Sequence, residues 1–304
     1  MSQFLNTLEQ IVHSDSVRPF QGICRHFHWQ VRKALHRFPC ELPIAGSQLY
    51  VDRPGGVAAL VNAMGEYDYN NMQLLRHVLS IGKSTFFDVG ANIGSYTLIA
   101  SEVADATVVS FEPHPATFAL LGKSVRRNGR DNVVSLNLAL SRAEGELRFT
   151  DHSESSINRV VQDGENGVGQ LCVPCRRLDA VCSELNLTPD VVKIDVEGFE
   201  VAVLEGFGEF AGTAKMIFIE GGERREVRSW MEAAGYGGPL YCHFKRRALK
   251  QRKQGRPEDP VFGRLDLFDS LKARGWDVSE VVTPAGVPTG MTELRDLNYE
   301  NACG

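Results

Sequence analysis

Phe86-Phe87-Asp88-Val89-Gly90-Ala91-Asn92-Ile93-Gly94 decides the fold of this chain. Its first residues read as a buried strand that ends on an acid. Gly90 permits a tight turn and Gly94 opens a helix. A second apolar run, 107–112, closes on Glu112 about twenty residues later, where a carboxylate at the next strand tip is placed to accept hydrogen bonds from a ribose diol. The spacing is Asp-x-Gly-x-x-x-Gly, not the Gly-x-Gly-x-x-Gly that sets bare amides against a pyrophosphate. Asp88 at the strand tip would repel an anion. It suits a cationic cofactor portion, such as the amino group and sulfonium of S-adenosylmethionine.

Outward from this stretch, apolar strand patterns alternate with helical ones. Strands are expected at 85–89, 107–112, 133–140, 145–150, 171–176, 191–195 and 216–220. Helices are expected at 95–103, 115–128, 178–185 and 201–205, with a later helix at 265–273 and a last strand at 278–282. Such alternation predicts an α/β fold, a mostly parallel doubly wound sheet with helices on both faces and ligands at the carboxyl ends of the strands. Residues 1–80 read as a helical extension packed on the domain formed by 81–304. Within it, 18–40 holds five Lys/Arg, three His and no acid. Phe27, Val31, Ala34, Leu35 and Phe38 recur there at roughly helical spacing, a stripe expected to pack inward rather than onto a membrane. A short strand is expected at 49–52 and a helix at 71–80.

Asp88, Glu112, Asp195 and Glu220 each end an apolar run, so four acids gather at one sheet edge. Asn92 suits either a helix cap or a cofactor ligand. His114 is expected in a first helical turn near the adenosine rather than as a base. In Val192-Lys-Ile-Asp-Val-Glu-Gly-Phe-Glu200, Lys193 and Asp195 share one face of a strand that is otherwise apolar. A salt bridge that only holds the strand end is one reading. The other sets Asp195, Glu197 and Lys193 against the group that accepts a methyl. Glu200 falls in a first helical turn, where an acid favours the helix dipole.

Apolar residues make up 43% of the 304, ample for a core, and no run approaches a membrane span. The N-terminus shows no signal-peptide core, so a cytoplasmic location with reduced thiols is expected for the seven cysteines. Cys172 and Cys175 form the only close pair, without a second pair at zinc spacing. Residues 243–256 carry seven Lys/Arg and no acid. Without them the chain holds 26 basic against 38 acidic residues. This segment reads as a solvated stretch or as one that meets an anionic substrate or surface. Nucleic acid is not expected, because Phe244 is the one aromatic interleaved with the charges.

These motifs resemble those of the FkbM family of S-adenosylmethionine-dependent methyltransferases. Asp88-Val-Gly-Ala-Asn-Ile-Gly-Ser-Tyr-Thr-Leu is similar to the family's first motif and Phe111-Glu-Pro-His-Pro to its second. Lys193-Ile-Asp-Val-Glu-Gly-Phe-Glu resembles its most distinctive one, and Ile217-Phe-Ile-Glu the strand that follows. The resemblance spans about residues 45–235. It implies a Rossmann-like class I methyltransferase fold that converts S-adenosylmethionine to S-adenosylhomocysteine. The implied acceptor is a hydroxyl on a sugar, glycan or natural product. It further implies that Asp88, Gly90, Asn92 and Gly94 cradle the methionine part and that Glu112 holds the ribose. Pro113 and His114 would then lie beside the adenosine, with Ala139 in a 138–141 turn near the adenine. The acid that draws a proton from the acceptor would be Asp195 or Glu197; a divalent metal between strand-end acids is the alternative. Family members often carry Glu where Asp68 follows Tyr67 here, and 237–260 looks like an insertion. Two rival classes, a nicotinamide-dependent oxidoreductase and a non-catalytic interaction module, predict different cofactor binding.

Overall fold

A computed structural model describes residues 2–14, 16–150, 160–161, 170–244 and 261–280. The N-terminal part runs α1 (Ser2–His13), α2 (Pro19–Ala34), β1 (Cys40–Ile44), β2 (Ser47–Val51), α3 (Gly56–Met64) and α4 (Tyr69–Leu79). Next come β3 (Ser84–Val89), α5 (Ser95–Ser101), β4 (Ala106–Phe111), α6 (Pro115–Arg127), β5 (Val133–Leu136), β6 (Ala139–Leu140), β7 (Gly145–Thr150) and β8 (Gln170–Arg176). The chain continues through α7 (Leu178–Leu185), β9 (Val191–Ile194), α8 (Glu200–Glu205), β10 (Met216–Ile219) and α9 (Arg225–Ala233). It closes with β11 (Gly237–Phe244), β12 (Val261–Gly263), α10 (Leu265–Ala273) and β13 (Trp276–Glu280).

Eight strands form the main sheet in the order β13-β11-β12-β10-β9-β3-β4-β5. From β10 to β5 all neighbours are parallel. β12 is antiparallel to β10 and to β11, and β13 is antiparallel to β11. β11 therefore points the same way as the parallel block. The near-continuous apolar character of the strands follows from burial on both faces. Phe86, Val108, Val191, Met216 and Phe218 face one core with α4, α5 and α10. Phe87, Val109, Val192, Ile217 and Ile219 face the other with α7, α8 and α9. Filling each such position with a fully buried aromatic or aliphatic chain contributes roughly 1.5–3 kcal/mol.

Several expectations need correcting. The extension 1–80 is helical only in part: the strand expected at 49–52 is β2, and it pairs with β1, a strand not expected, as an antiparallel hairpin. Leu42, Ile44, Leu49 and Val51 of that hairpin lie in the same core as Phe86 and Val108. The strand expected at 133–140 is broken into β5, in the main sheet, and β6, in a separate sheet with β7 and β8. The break falls at Asn137, whose Nδ2 donates to the carbonyls of Glu112 (2.8 Å) and Pro113 (2.9 Å) and ties the chain to the end of β4. Of the stripe expected to pack inward, Phe27, Val31 and Leu35 face solvent, all more than half exposed, while Phe38 packs edge-on against Trp29. The buried face of α2 is Gly22, His26 and Trp29. A Cβ at Gly22 would meet Ile11 of α1, so the missing side chain lets the two helices close. The start of the expected insertion is strand β11, and residues 245–256 of the basic segment lie outside the described residues.

Candidate active site

The site forms where β3, β4 and β9 end. Asp88 is in register with Ser110 on one side and Lys193 on the other. Strand alternation puts these three polar residues on the face that below them carries Phe86, Val108 and Val191. One polar row thus caps an apolar core.

The turn after β3 needs its glycine. Gly90 has φ +80°, and an added Cβ would run into the carbonyl oxygen of Asp195. The backbones that leave β3 and β9 therefore touch. Asn92 follows in the left-handed region at φ +51°. Its Oδ1 accepts from the Ile93 N–H at 2.8 Å, so it shapes the turn rather than capping α5. Gly94, at φ +99°, starts α5 against Leu121. It sits behind the cleft and is not among its lining residues.

Asp88, Gly90, Asn92, Glu112, Pro113, His114, Lys193, Asp195 and Glu197 all line one cleft. Asp88 is fully buried. Its Oδ2 accepts from Thr97 Oγ1 at 2.6 Å, and its Oδ1 has no hydrogen-bond partner among the described residues. Burial pushes its carboxyl above the ordinary range, with Lys193 and Thr97 pulling the other way. A buried carboxylate with an unused oxygen at a cleft is suited to a cationic donor. Glu112 accepts from the Asn92 N–H and the His114 N–H, each at 2.9 Å. Burial still lifts its carboxyl to about 7 against those two hydrogen bonds, and the charges of Asp88 and Asp195 add to the rise. Ala139 lies on β6 rather than in a turn. It lines an adjoining apolar recess with Leu138, Phe111, Pro113 and Phe149, a surface of the kind a flat heterocycle covers.

Lys193 and Asp195 form an ion pair at 2.7 Å. Burial alone would lower the Lys193 pKa, but Asp195, Asp88 and Tyr67 outweigh it and raise it. Burial would raise that of Asp195, but Lys193 and a hydrogen bond with Glu220 hold it below the usual range. The lysine is nearly enclosed, whereas the Asp195 side chain is 38% exposed toward the cleft. Glu197 is exposed on the turn beyond, at φ +49°. Ligand atoms of Asp195, Glu197 and Glu220 lie within 4.8 Å of one another, close enough for all three to reach one divalent cation. Glu200 serves the frame: it is 1% exposed, accepts from the Gly198 N–H at 2.9 Å and pairs with Arg224.

Sequence reasoning missed Val57, Tyr67, Ser95, Tyr96 and Phe149, which also line the cleft. Lys193 Nζ lies 4.9 Å above the Tyr96 ring, and the Tyr96 hydroxyl donates to Asp68. Burial raises the Tyr67 pKa, with Lys193 opposing it. The N-terminal segment thus supplies one wall of the site. The adjacent Tyr67-Asp68 pair just before a helix was the available signal. Cys172 and Cys175 sit on opposite faces of β8, one exposed and one buried, too far apart in direction to share a zinc ion.

The strand order, with an antiparallel strand between the fifth and sixth parallel ones and acids at the tips of β3, β4 and β9, defines a Rossmann-like class I methyltransferase fold. Residues 88–237 match the family model of the methyltransferase FkbM domain. Over 136 residues it is 30% identical to the hexuronic acid methyltransferase AglP of Haloferax volcanii, covering 44% of this chain and 54% of that protein. Over 147 residues it is 26% identical to Methyltransferase 1 of Beauveria bassiana, covering 41% and 59%. The chain therefore spans little more than half the length of the curated relatives it matches. Among solved structures, a SAM dependent methyltransferase from Agrobacterium tumefaciens superposes with TM-score 0.42 and 9% identity, over 74% of this chain and 68% of that one. A likeness that distant carries no argument about activity.

Proposed function

We propose that this chain binds S-adenosylmethionine and transfers its methyl group to a hydroxyl of a small acceptor, a sugar acid by preference. The observation that carries the reading is the buried Asp88, with one carboxylate oxygen lacking a hydrogen-bond partner among the described residues, in the lining of a cleft shared with Glu112, Asp195 and Glu197. When bound, the cofactor supplies a methyl group on a positively charged sulfur. Asp88 would receive a cationic group of its methionine part, Glu112 its ribose hydroxyls, and the recess at Ala139 its base. Asp195 or Glu197 would take the acceptor's hydroxyl proton while the oxygen takes the methyl, and Lys193 would keep Asp195 charged and oriented. Cleft walls from Val57, Tyr67 and Phe149 would hold oxygen, methyl and sulfur in line, the condition on which such a transfer depends. The Haloferax volcanii relative, a hexuronic acid methyltransferase, supports a uronic acid as the acceptor class.

Calorimetry with S-adenosylmethionine, S-adenosylhomocysteine and NAD tests the cofactor: binding of the first two and not the third is expected. NAD binding alone would turn the reading to an oxidoreductase, and binding of none to an interaction module. A panel of hexuronic acids and neutral hexoses with labelled cofactor then tests the acceptor. Turnover that persists in chelator assigns the proton to a carboxylate acting alone. Turnover lost in chelator and restored by Mg²⁺ assigns it to a cation among Asp195, Glu197 and Glu220.

A further inference from the structure

Helix α2 has two apolar sides. At 100° per residue, Gly22, His26 and Trp29 face the protein, while Phe20, Cys24, Phe27, Val31 and the capping Leu35 fall in one stripe on the opposite side. That stripe is exposed: Phe20 at 80%, Phe27 at 54%, Val31 at 55% and Leu35 at 53%. It runs about 22 Å along the surface. An apolar row of this length is unusual on a monomer's surface and marks a docking face.

Charge identifies what covers it. From Ser16 to Cys40 there is no acid. Among the described residues, Arg18, Arg25, Arg32, Lys33 and Arg37 make no ion pair, although the chain as a whole carries a charge of −5. Arg25, His28 and Arg32 follow one flank of the stripe. Two copies meeting on this face would bring like charges together. A helix with an apolar stripe, cationic flanks and no acid matches an anionic bilayer surface, the apolar side chains entering the acyl boundary and the cations meeting headgroups. Among the described residues no helix is long and apolar enough to cross a membrane, so the contact is with the surface. We propose that α2 is a peripheral membrane-docking helix that brings this protein to anionic lipid.

The test is flotation of the full chain with phosphatidylcholine vesicles and with phosphatidylcholine–phosphatidylglycerol vesicles, alongside light scattering of the protein alone. Binding to the anionic vesicles only, weakened by salt, is expected. Phe20→Ser with Val31→Ser should weaken partitioning roughly 100-fold. Arg25→Glu with Arg32→Glu, on the flank of the stripe, should weaken it at least roughly 30-fold. Both pairs lie on α2 away from the cleft, so unchanged melting and cofactor affinity serve as controls. No flotation with either vesicle, or flotation of the Phe20/Val31 variant like the parent, overturns the proposal. So does a concentration-dependent dimer abolished by the same substitutions, which would make the stripe a self-association face.

Discussion

Replacing Glu112 by Gln should remove a pH dependence from cofactor affinity. In the unliganded protein burial lifts this carboxyl to about 7. It is then about one-tenth ionised at pH 6 and nine-tenths at pH 8. If the ribose hydroxyls need the anion, affinity should rise about tenfold between these values. The amide of the variant would set an NH₂ against the Asn92 or His114 N–H, both of which now donate to Glu112. The expected loss at pH 8 is about 1.5–3 kcal/mol, smaller by about 1.4 kcal/mol at pH 6, where the native side chain is mostly neutral. The assay is calorimetry of S-adenosylhomocysteine at pH 6, 7 and 8 with both proteins. The ligand's own amino group titrates near ~8, but it cancels in the ratio of affinities. The same raised value has a stability consequence. The folded form prefers the proton, so its contribution is fully present below 4.5 and is lost as pH rises through about 7, about 3 kcal/mol in all. The Gln variant should lack that decline in urea unfolding. A ratio of affinities constant from pH 6 to 8 would refute the reasoning and move the titration to another group, Asp88 first.

Lys193→Met should lower stability by about 3–5 kcal/mol in denaturant unfolding, because Asp88 and Asp195 lose the cation between them; a loss under 1 kcal/mol would mean the pair is dispensable. Asp195→Asn and Glu197→Gln should cut turnover ~10²–10⁴-fold while cofactor affinity stays within a few fold, and equal losses in both would make them binding groups instead. Gly90→Ala should separate the ends of β3 and β9 and weaken cofactor binding at least roughly tenfold, checked by calorimetry with circular dichroism as the folding control.

The α/β alternation is legible because buried strands must be apolar on both faces, and Phe86–Phe87, Val108–Val109 and Val191–Val192 announce this plainly. Asp88, Glu112 and Asp195 are legible for the complementary reason: a charge that ends such a run needs a purpose. The break at Asn137 is not, since it depends on two carbonyls that reach it only in the folded chain. Nor is the orientation of α2. Its buried face is a glycine, a histidine and a tryptophan, so counting apolar residues selects the wrong side. Val57 and Phe149 join the site through contacts across the fold, and spacing along the chain carries no trace of them.

The hairpin β1–β2 has a practical consequence for anyone cutting this chain. The segment that matches the family begins at residue 88, yet Leu42, Ile44, Leu49 and Val51 are shared with its innermost side chains. Expressed from 88 onward, the family segment would leave one side of its sheet wet and would lack Val57 and Tyr67 from the cleft. A piece that keeps this shared core must include the hairpin and Trp29 of α2, and the family boundary is a boundary of similarity, not of cooperative folding. Grafts that exchange residues 55–70 should therefore include the strand-end loops as well, since both line one cleft.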